Sequence, residues 1–258
     1  MIRLRDEHEK SWDENRYALL RGALDSVEQR ALLDWVETLA GWPETPGRWM
    51  KYFEGDRRQL CRVENFLPYH DGLRGLLTRP DLCETLERLC SEPAVLFKEK
   101  INYKLPGGHG FAPHQDAPAF VSFDQTYHVT LLIGVDPMTP ENGCLELVNG
   151  HCDGQSLPQA EDGTIRPDVA EGLDWQPLAT EPGDVVLFDS YVPHRSGPNR
   201  SREPRRTLYV TYNGVSQGDR RADYYARKRR VFPPECERDL GAPLPEESRI
   251  FNLGNPIR

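Results

Sequence analysis

The sequence predicts a mainly β fold, a β-sandwich or jelly roll, with helices packed against its outside. Apolar residues recur at helical spacing in the first third of the chain, whereas the apolar runs after residue 94 are short and separated by turn residues. Helices followed by many short strands are typical of a sheet-based domain with an outer helical layer. We therefore expect one domain over 1–258, with a helical front at about 11–92, a jelly-roll core at about 94–214 and a C-terminal wrap at 215–258.

The helical front should contain two helical regions, 11–40 and 66–90. In the first region, Asp25 is followed three positions later by Glu28, which is a pattern typical of a helix start. Apolar residues then recur at helical spacing as far as Leu39, and glycines and prolines end the pattern from Gly41 onward.

The core should be built from short strands. Residues 150–180, which are acidic and contain glycine and proline, interrupt these strands and predict a long loop or insertion. The β-type runs themselves are 95–97, 101–104, 128–135, 144–148, 185–188 and 207–212.

Composition argues against several classes of function. The 258 residues are 38% hydrophobic and 28% charged, as in an ordinary globular protein. The net charge of −9 removes the counterion-release term that drives binding to nucleic acid, so we expect no nucleic-acid partner. No apolar run reaches the roughly 18 residues of a membrane span. The first residues are charged and lack the apolar centre of a signal peptide, so a cytoplasmic location is the default expectation.

The cysteines form no Cys-x-x-Cys pair. In a chain of this size without a secretory signal, they are expected to be reduced thiols rather than a disulfide framework. The six are Cys61, Cys83, Cys90, Cys144, Cys152 and Cys236.

The motif with the clearest chemistry is His114-Gln115-Asp116, followed far along the chain by His194. Two histidines and one carboxylate can hold Fe(II) on one face and leave three coordination positions open. Side chains two apart on a strand point to the same side, so His114 and Asp116 could bind one ion if their segment stays extended. One alternative is a hydrolytic zinc site. The simplest alternative is a His-x-Asp triplet on the surface that binds no metal.

A basic residue, Arg205, opens the strand that follows His194. A guanidinium at this place suits the distal carboxylate of a dicarboxylic co-substrate, because it can donate two parallel hydrogen bonds. Arg206 is adjacent and must point the other way if both lie on the strand. The sequence leaves open which of the two is the anchor.

Together these motifs resemble the phytanoyl-CoA dioxygenase family of Fe(II)/2-oxoglutarate oxygenases, over most of residues 95–232. The motifs that carry the resemblance are His114-x-Asp116, Asn142-Gly143-Cys144-Leu145-Glu146, Pro182-Gly183-Asp184, His194-x-Ser196 and Arg205. The resemblance implies a double-stranded β-helix, the cupin-like version of the jelly roll.

The resemblance also implies roles for the motif residues. Fe(II) would be held by His114, Asp116 and His194, and these would be the catalytic centre. The co-substrate 2-oxoglutarate would be bound by Arg205, Ser196, Asn102 and Phe111, although the last two could equally be ordinary strand and loop residues. With O2 as oxidant, 2-oxoglutarate would leave as succinate and CO2 while an unactivated C–H bond of the substrate is hydroxylated.

Three lysines occupy alternate positions of one predicted strand: Lys98, Lys100 and Lys104. They share one face, and if that face lines the mouth of the barrel it would bind an anionic small molecule. A solvated edge strand protected by lysines is the alternative. Arg195, beside a predicted metal ligand, is a further candidate contact for an anion.

The stretch from 98 to 117, with 211–213 and 224–229, is similar to a branch of the family that hydroxylates 2-aminoethylphosphonate and its N-trimethyl analogue at the carbon next to phosphorus. In that reading, lysine and arginine would meet the phosphonate. Tyrosines or a carboxylate would meet the ammonium group. The candidates are Tyr191, Tyr209, Tyr212 and Asp189.

Other functions remain possible at this stage. A hydroxylase that tailors an amino acid or natural-product intermediate would use the same iron chemistry. A non-catalytic jelly-roll binding protein would not require the complete set of motifs. A halogenase would need a small residue in place of Asp116, so the sequence disfavours it. The oligomeric state cannot be read from these patterns.

Overall fold

The computed structural model describes residues 1–151, 153–254 and 257. Two antiparallel sheets dominate the described part of the chain, which confirms the predicted jelly roll. The larger sheet has seven strands in the order β1 (Tyr17–Leu20), β9 (Val185–Asp189), β6 (His128–Gly134), β11 (Arg205–Gly214), β4 (Ala94–Lys104), β3 (Gln59–Glu64) and β2 (Met50–Glu54). The smaller sheet has four strands in the order β5 (Phe111–His114), β10 (His194–Ser196), β7 (Leu145–Val148) and β8 (Trp175–Leu178).

Helices cover the outer face of the larger sheet and close one end of the molecule. They are α1 (Asp6–Asn15), α2 (Ser26–Gly41), α3 (Asp71–Leu77), α4 (Pro80–Cys90), α5 (Ala117–Phe120), α6 (Pro167–Ala170) and α7 (Arg221–Val231). The predicted start of α2 is confirmed: Asp25 accepts hydrogen bonds from the N–H groups of Val27 and Glu28, and Glu28 accepts one from the Asp25 N–H. No helix in the described part of the chain is long and apolar enough to cross a membrane.

The helical front is only partly helical, which corrects the prediction for residues 11–40. Residues 17–20 form β1, whose Leu20 pairs with Val185 at the edge of the larger sheet. Residues 50–54 and 59–64 add β2 and β3 at the opposite edge. Long-range pairing overrides local helix preference here, because an apolar segment gains more from completing a sheet than from a marginal isolated helix.

Two layers of apolar side chains flank the larger sheet. On its outer face, Val63, Ile101 and Leu208 pack with residues of the covering helices. Between the two sheets, Leu132 and Phe188 pack with Leu145, Leu147 and other buried residues. Because strand side chains alternate between faces, each strand of the larger sheet serves both layers.

The segment 150–180 is more structured than a loop. Its last part forms β8, which pairs with β7 and completes the smaller sheet, so the expectation of a long loop is wrong for those residues. The five described cysteines, Cys61, Cys83, Cys90, Cys144 and Cys236, are free thiols as predicted. Cys152 lies outside the described residues.

The C-terminal segment contacts both sheets. Helix α7 packs beside β4 and buries Tyr224, Tyr225 and Lys228. Farther on, the carbonyl oxygen of Gly254 accepts a hydrogen bond of 2.9 Å from the N–H of Ala112 in β5. Residues 215–254 therefore cover the end of the molecule where the candidate site lies.

Candidate active site

Two strands of the smaller sheet bring three potential metal ligands together. His114 ends β5 and His194 begins β10, and the two are direct partners in the strand register. One ligand atom from each of His114, Asp116 and His194 can be chosen so that all lie within 4.8 Å of one another. The ring centroids of the two histidines are 4.1 Å apart. This spacing allows one ion to be bound by all three side chains.

Asp116 reaches the cluster by a bend of the chain and not by strand alternation. Strand β5 ends at His114, and Asp116 has helical backbone angles, φ −76° and ψ −33°, immediately before α5. The assumption that His114 and Asp116 share an extended strand is therefore wrong. Pro118, in the first turn of α5, suits this geometry because proline favours the start of a helix.

Hydrogen bonds to backbone carbonyls fix both histidine rings. Nδ1 of His114 lies 2.7 Å from the Ala112 carbonyl oxygen, and Nδ1 of His194 lies 2.9 Å from that of Val192. Each Nδ1 must carry the proton it donates, so each Nε2 is left as a lone-pair donor. Burial, assisted by the neighbouring His194, lowers the pKa of His114 to about 3, so its ring is neutral. Neutral imidazole is the form that binds metal.

The carboxylate of Asp116 is held in its ionised form. Burial alone would raise the pKa of this group, but nearby side chains, foremost the ammonium group of Lys98, bring it below its usual value. The cluster thus offers two neutral nitrogens and one anionic oxygen, as a 2-His-1-carboxylate centre requires.

A second group of polar side chains surrounds Arg205. Its guanidinium is only 1% exposed, and its Nε and Nη2 have no hydrogen-bond partner in the part of the chain that the structure describes. Nearby, Nζ of Lys104 donates to Ser196 Oγ at 2.8 Å and to the Gly197 carbonyl at 2.6 Å. Burial, together with the charge of Arg205, lowers the pKa of Lys104 to about 6. Buried donors without acceptors are costly, so this group is suited to receive an anion.

Arg206 points away from this group. Its Nε and Nη2 donate to the two carboxylate oxygens of Asp136 at 2.8 and 2.7 Å, and its Nη1 donates to Glu37 at 3.1 Å. The alternation of side chains along β11 places Arg205 toward the smaller sheet and Arg206 toward the helices. Of the two arginines, only Arg205 keeps free donors beside the cluster.

The lysine row lies inside the molecule. Strand β4 is flanked by β11 and β3, so the alternative of a solvated edge strand is wrong. Nζ of Lys98 lies 4.3 Å from the ring centroid of Phe120, and Nζ of Lys100 lies 5.2 Å from that of Tyr209. Burial lowers the pKa of both lysines. The structure gives neither ammonium a hydrogen-bond acceptor among the described residues. Lys104, by contrast, belongs with Arg205 and Ser196.

Asn102 and Phe111 border both groups. Asn102 Oδ1 accepts a hydrogen bond of 3.1 Å from Nε of Arg62. The ring of Phe111 has its centroid 5.6 Å from Nζ of Lys104 and 5.9 Å from Cζ of Arg62. Both residues therefore lie between the lysine row and the Arg205 group, and their contact with 2-oxoglutarate stays a prediction.

Two candidate substrate contacts, Arg195 and Tyr212, lie elsewhere, which corrects those predictions, and the hydroxyl of a third, Tyr191, is bound to a backbone carbonyl. Arg195 is on the opposite face of β10 from His194 and donates to Glu146 at 3.0 and 2.8 Å. Tyr212 is in the core beneath the helices and donates to the Leu77 carbonyl at 2.9 Å. Tyr191 donates to the Thr126 carbonyl at 2.9 Å, so its hydroxyl is already engaged.

Sequence reasoning missed one charged group at the site. Arg62 and Glu64 on β3 are buried, and Lys228 on α7 is buried against Glu64. Alternating charged residues at 62 and 64 are an ordinary surface pattern, so nothing in the sequence distinguishes them. Only the pairing of β3 with β4 brings Arg62 beside Asn102.

Fold and site define a class of protein: a jelly roll with a His-Asp-His cluster suited to one metal ion, beside the buried guanidinium of Arg205. The family model described as phytanoyl-CoA dioxygenase matches residues 12–207. The chain therefore belongs to the phytanoyl-CoA dioxygenase family and is a dioxygenase, as the sequence motifs predicted.

Two curated relatives match over nearly the whole chain. A 2-aminoethylphosphonate dioxygenase from the uncultured bacterium HF130_AEPn_1 is 48% identical over 256 residues, which is 98% of each chain. A methylphosphonate hydroxylase from Gimesia maris is 43% identical, over 89% of this chain and 88% of its own. These similarities confirm the branch of the family that the sequence resembled.

Solved structures agree on the fold. A crystal structure of EctD from S. alaskensis with 2-oxoglutarate and 5-hydroxyectoine superimposes with a TM-score of 0.72 at 17% identity, covering 83% of this chain and 77% of that one. The epimerase SnoN from nogalamycin biosynthesis gives a TM-score of 0.66 at 21% identity, covering 81% and 83%. At these identities the likeness supports the architecture alone.

Proposed function

We propose that the protein is an Fe(II)- and 2-oxoglutarate-dependent hydroxylase of a small phosphonate, with 2-aminoethylphosphonate as the best candidate substrate and the carbon next to phosphorus as the site of hydroxylation. The observation that carries the proposal is the pair of partly buried ammonium groups, Lys98 and Lys100. Among the described residues they have no carboxylate partner within hydrogen-bonding distance, and they act electrostatically on Asp116. The names of the two curated relatives support the same substrate class.

The donor set fits iron. His114 and His194 present neutral nitrogens whose orientation is fixed by Ala112 and Val192, and Asp116 supplies one negative charge. Three protein ligands on one side leave room for a co-substrate and O2. Bound there, iron with 2-oxoglutarate and O2 supplies an oxidant able to hydroxylate an unactivated C–H bond, with succinate and CO2 as the other products.

Arg205 fits the distal carboxylate of 2-oxoglutarate. Its Nε and Nη2 lack partners in the part of the chain that the structure describes and can donate two hydrogen bonds to one carboxylate. Ser196 and Lys104 would complete this end of the co-substrate site, since they are already joined by a hydrogen bond of 2.8 Å. This assigns Lys104 to the co-substrate rather than to the substrate.

Lys98 and Lys100 fit the phosphonate. They lie two residues apart on one strand face, and they act electrostatically on Asp116, one of the proposed iron ligands. An anion bound between them would stabilise the charged forms of both lysines, which burial disfavours. A phosphonate held there would keep its neighbouring carbon on the iron side of the pocket, and the aromatic rings of Phe120 and Tyr209 would exclude water from it.

The test is an anaerobic titration with Fe(II) and 2-oxoglutarate, followed by O2 in the presence of 2-aminoethylphosphonate or methylphosphonate. We expect a visible metal-to-ligand charge-transfer band, and then succinate and hydroxylated phosphonate in equal amounts. A band with succinate but no phosphonate product would reject the substrate and retain the oxygenase. Absence of the band would reject the iron and 2-oxoglutarate assignment altogether.

A further inference from the structure

Arg62 is a buried guanidinium whose orientation is set on two sides. It is 3% exposed and lies opposite Asn102 in the pairing of β3 with β4. Its Nε donates to Asn102 Oδ1 at 3.1 Å, and its Nη1 donates to Glu64 Oε1 at 3.2 Å. Among the described residues no acceptor is found for Nη2. Two of the three guanidinium nitrogens are therefore engaged by the protein, while Nη2 is left available.

The carboxylate that orients Arg62 is shared with a second cation. Glu64 accepts two hydrogen bonds of 2.6 Å from Nζ of Lys228, which is fully buried on α7. One carboxylate thus faces two cations, so Glu64 cannot fully neutralise Arg62. A buried positive charge that is only half compensated is costly unless another anion joins it.

Arg62 also belongs to the neighbourhood of the lysine row. Burial is the main reason that the pKa of Lys100 is far below its usual value, and the charge of Arg62 is the next contribution, so the two cations are close. Glu64 is the direct strand partner of Lys100, which places Arg62, Lys98 and Lys100 on one face of neighbouring strands. Three cations therefore lie on one face of neighbouring strands, where the carboxylates that act on the lysines are Asp116 and Glu64, and Glu64 is already paired with Lys228.

We propose that Arg62 is a third ligand of the substrate's phosphonate group, and that Glu64 and Lys228 are positioning residues that hold its guanidinium toward the pocket. This inference rests on the proposed phosphonate hydroxylation. A phosphonate has three oxygens and carries up to two negative charges, so three cationic side chains match it, whereas a carboxylate would leave one of them without a partner. The site would thereby select phosphonates over carboxylates of the same length.

The first test compares Arg62→Gln and Arg62→Lys with the parent enzyme. Loss of one charge-assisted hydrogen bond should raise the KM for 2-aminoethylphosphonate about 10- to 100-fold. Arg62→Lys should recover part of this loss, and the KM for 2-oxoglutarate should change less than about twofold, within the scatter of independent sites. A binding measurement without turnover is the anaerobic shift of the Fe(II)–2-oxoglutarate band on adding the phosphonate, which should need correspondingly more ligand in the variants.

The second test addresses the positioning residues with a matched pair. Lys228→Met and Arg221→Gln each remove a cation of α7 that is paired to a buried glutamate, Glu64 or Glu99, but only Glu64 contacts Arg62. Both variants should melt at a lower temperature. Only Lys228→Met should also raise the KM for the phosphonate, with kcat little changed.

Three results would overturn the inference. An unchanged phosphonate KM in Arg62→Gln would remove Arg62 from the substrate site. A raised KM for 2-oxoglutarate instead would assign it to the co-substrate. Equal phosphonate KM values in Lys228→Met and Arg221→Gln would reduce Glu64 and Lys228 to a stabilising pair. If the parent enzyme itself oxidised no phosphonate, the proposed function would fail first and this inference with it.

Discussion

The two faces of strand β4 bury charge in opposite ways. On the outer face, Glu99 accepts hydrogen bonds from Arg221, from the Tyr225 hydroxyl and from the Leu67 N–H, so its charge is paired within the protein even though burial raises its pKa. On the inner face, Lys98 and Lys100 have aromatic rings beside them, and no carboxylate of the described residues forms an ion pair with either. Buried charge that the protein compensates supports the fold, whereas buried charge that it leaves uncompensated requires a ligand. The predictions below test that distinction.

The largest effect is expected at the metal ligands. Asp116→Ala or His194→Ala removes one of three donors of the centre, so turnover should be abolished while the circular dichroism spectrum and the cooperative melting transition are kept. Succinate release and melting curves measure the two properties. Full activity in either variant would exclude these residues as iron ligands.

The next largest effect should separate two neighbouring arginines. Arg205→Ala removes the only inward guanidinium of β11, and we expect the KM for 2-oxoglutarate to rise about 10- to 100-fold, as for the loss of a charged hydrogen bond. Arg206→Ala breaks the outward pair with Asp136 and should lower the melting temperature with little change in this KM. The reverse result would make Arg206 the anchor of 2-oxoglutarate and give Arg205 the stabilising role.

A smaller effect is expected from the lysine row. Lys98→Met or Lys100→Met should raise the KM for the phosphonate about tenfold, because one of several cations is removed. The matched control is Lys51→Met: Lys51 is also buried, but its ammonium donates to the carbonyls of Ala40 and Trp42 at 2.7 and 2.8 Å. This control should lose stability and keep its KM. Identical KM values in all three variants would argue against an anion site on the inner face.

The smallest effect should come from the outer face of β4. The Tyr103 hydroxyl donates to the Val36 carbonyl at 2.8 Å beneath α2, on the opposite face of β4 from Lys98 and Lys100. Tyr103→Phe should lower the free energy of unfolding by about 1 kcal/mol and leave both KM values unchanged. Urea denaturation and steady-state kinetics measure the two quantities, and a kinetic effect would mean that the two faces are coupled.

Part of this arrangement could be read from the sequence. The metal ligands, Arg205 and Ser196 lie in motifs whose order along the chain carries the resemblance to the family. The short apolar runs predicted the central strands. Simple alternation along the strands would also have excluded two candidates: Tyr212 is an odd number of positions from Arg205, and Arg195 lies between His194 and Ser196. Those two errors came from weighing residue type above strand direction.

Other parts depend on pairing between distant segments. Strands β1, β2 and β3 complete a sheet whose other strands lie much farther along the chain, so local spacing gives little indication of them. Arg62 becomes a site residue only because β3 pairs with β4 and α7 brings Lys228 to Glu64. The bend that brings Asp116 toward the histidines likewise depends on where α5 begins.

The contacts of Lys104 bear on how this enzyme could diverge. Two of its three acceptors are the backbone carbonyls of Gly143 and Gly197, and a side chain at Gly143 would collide with the Gly197 carbonyl. Substitutions do not remove main-chain atoms, so these contacts at the co-substrate end should be retained as the sequence diverges. The opposite end is built from side chains on β3, β4 and α7, and each can be replaced singly. We therefore expect substrate range to change within a few substitutions while the co-substrate requirement is inherited intact.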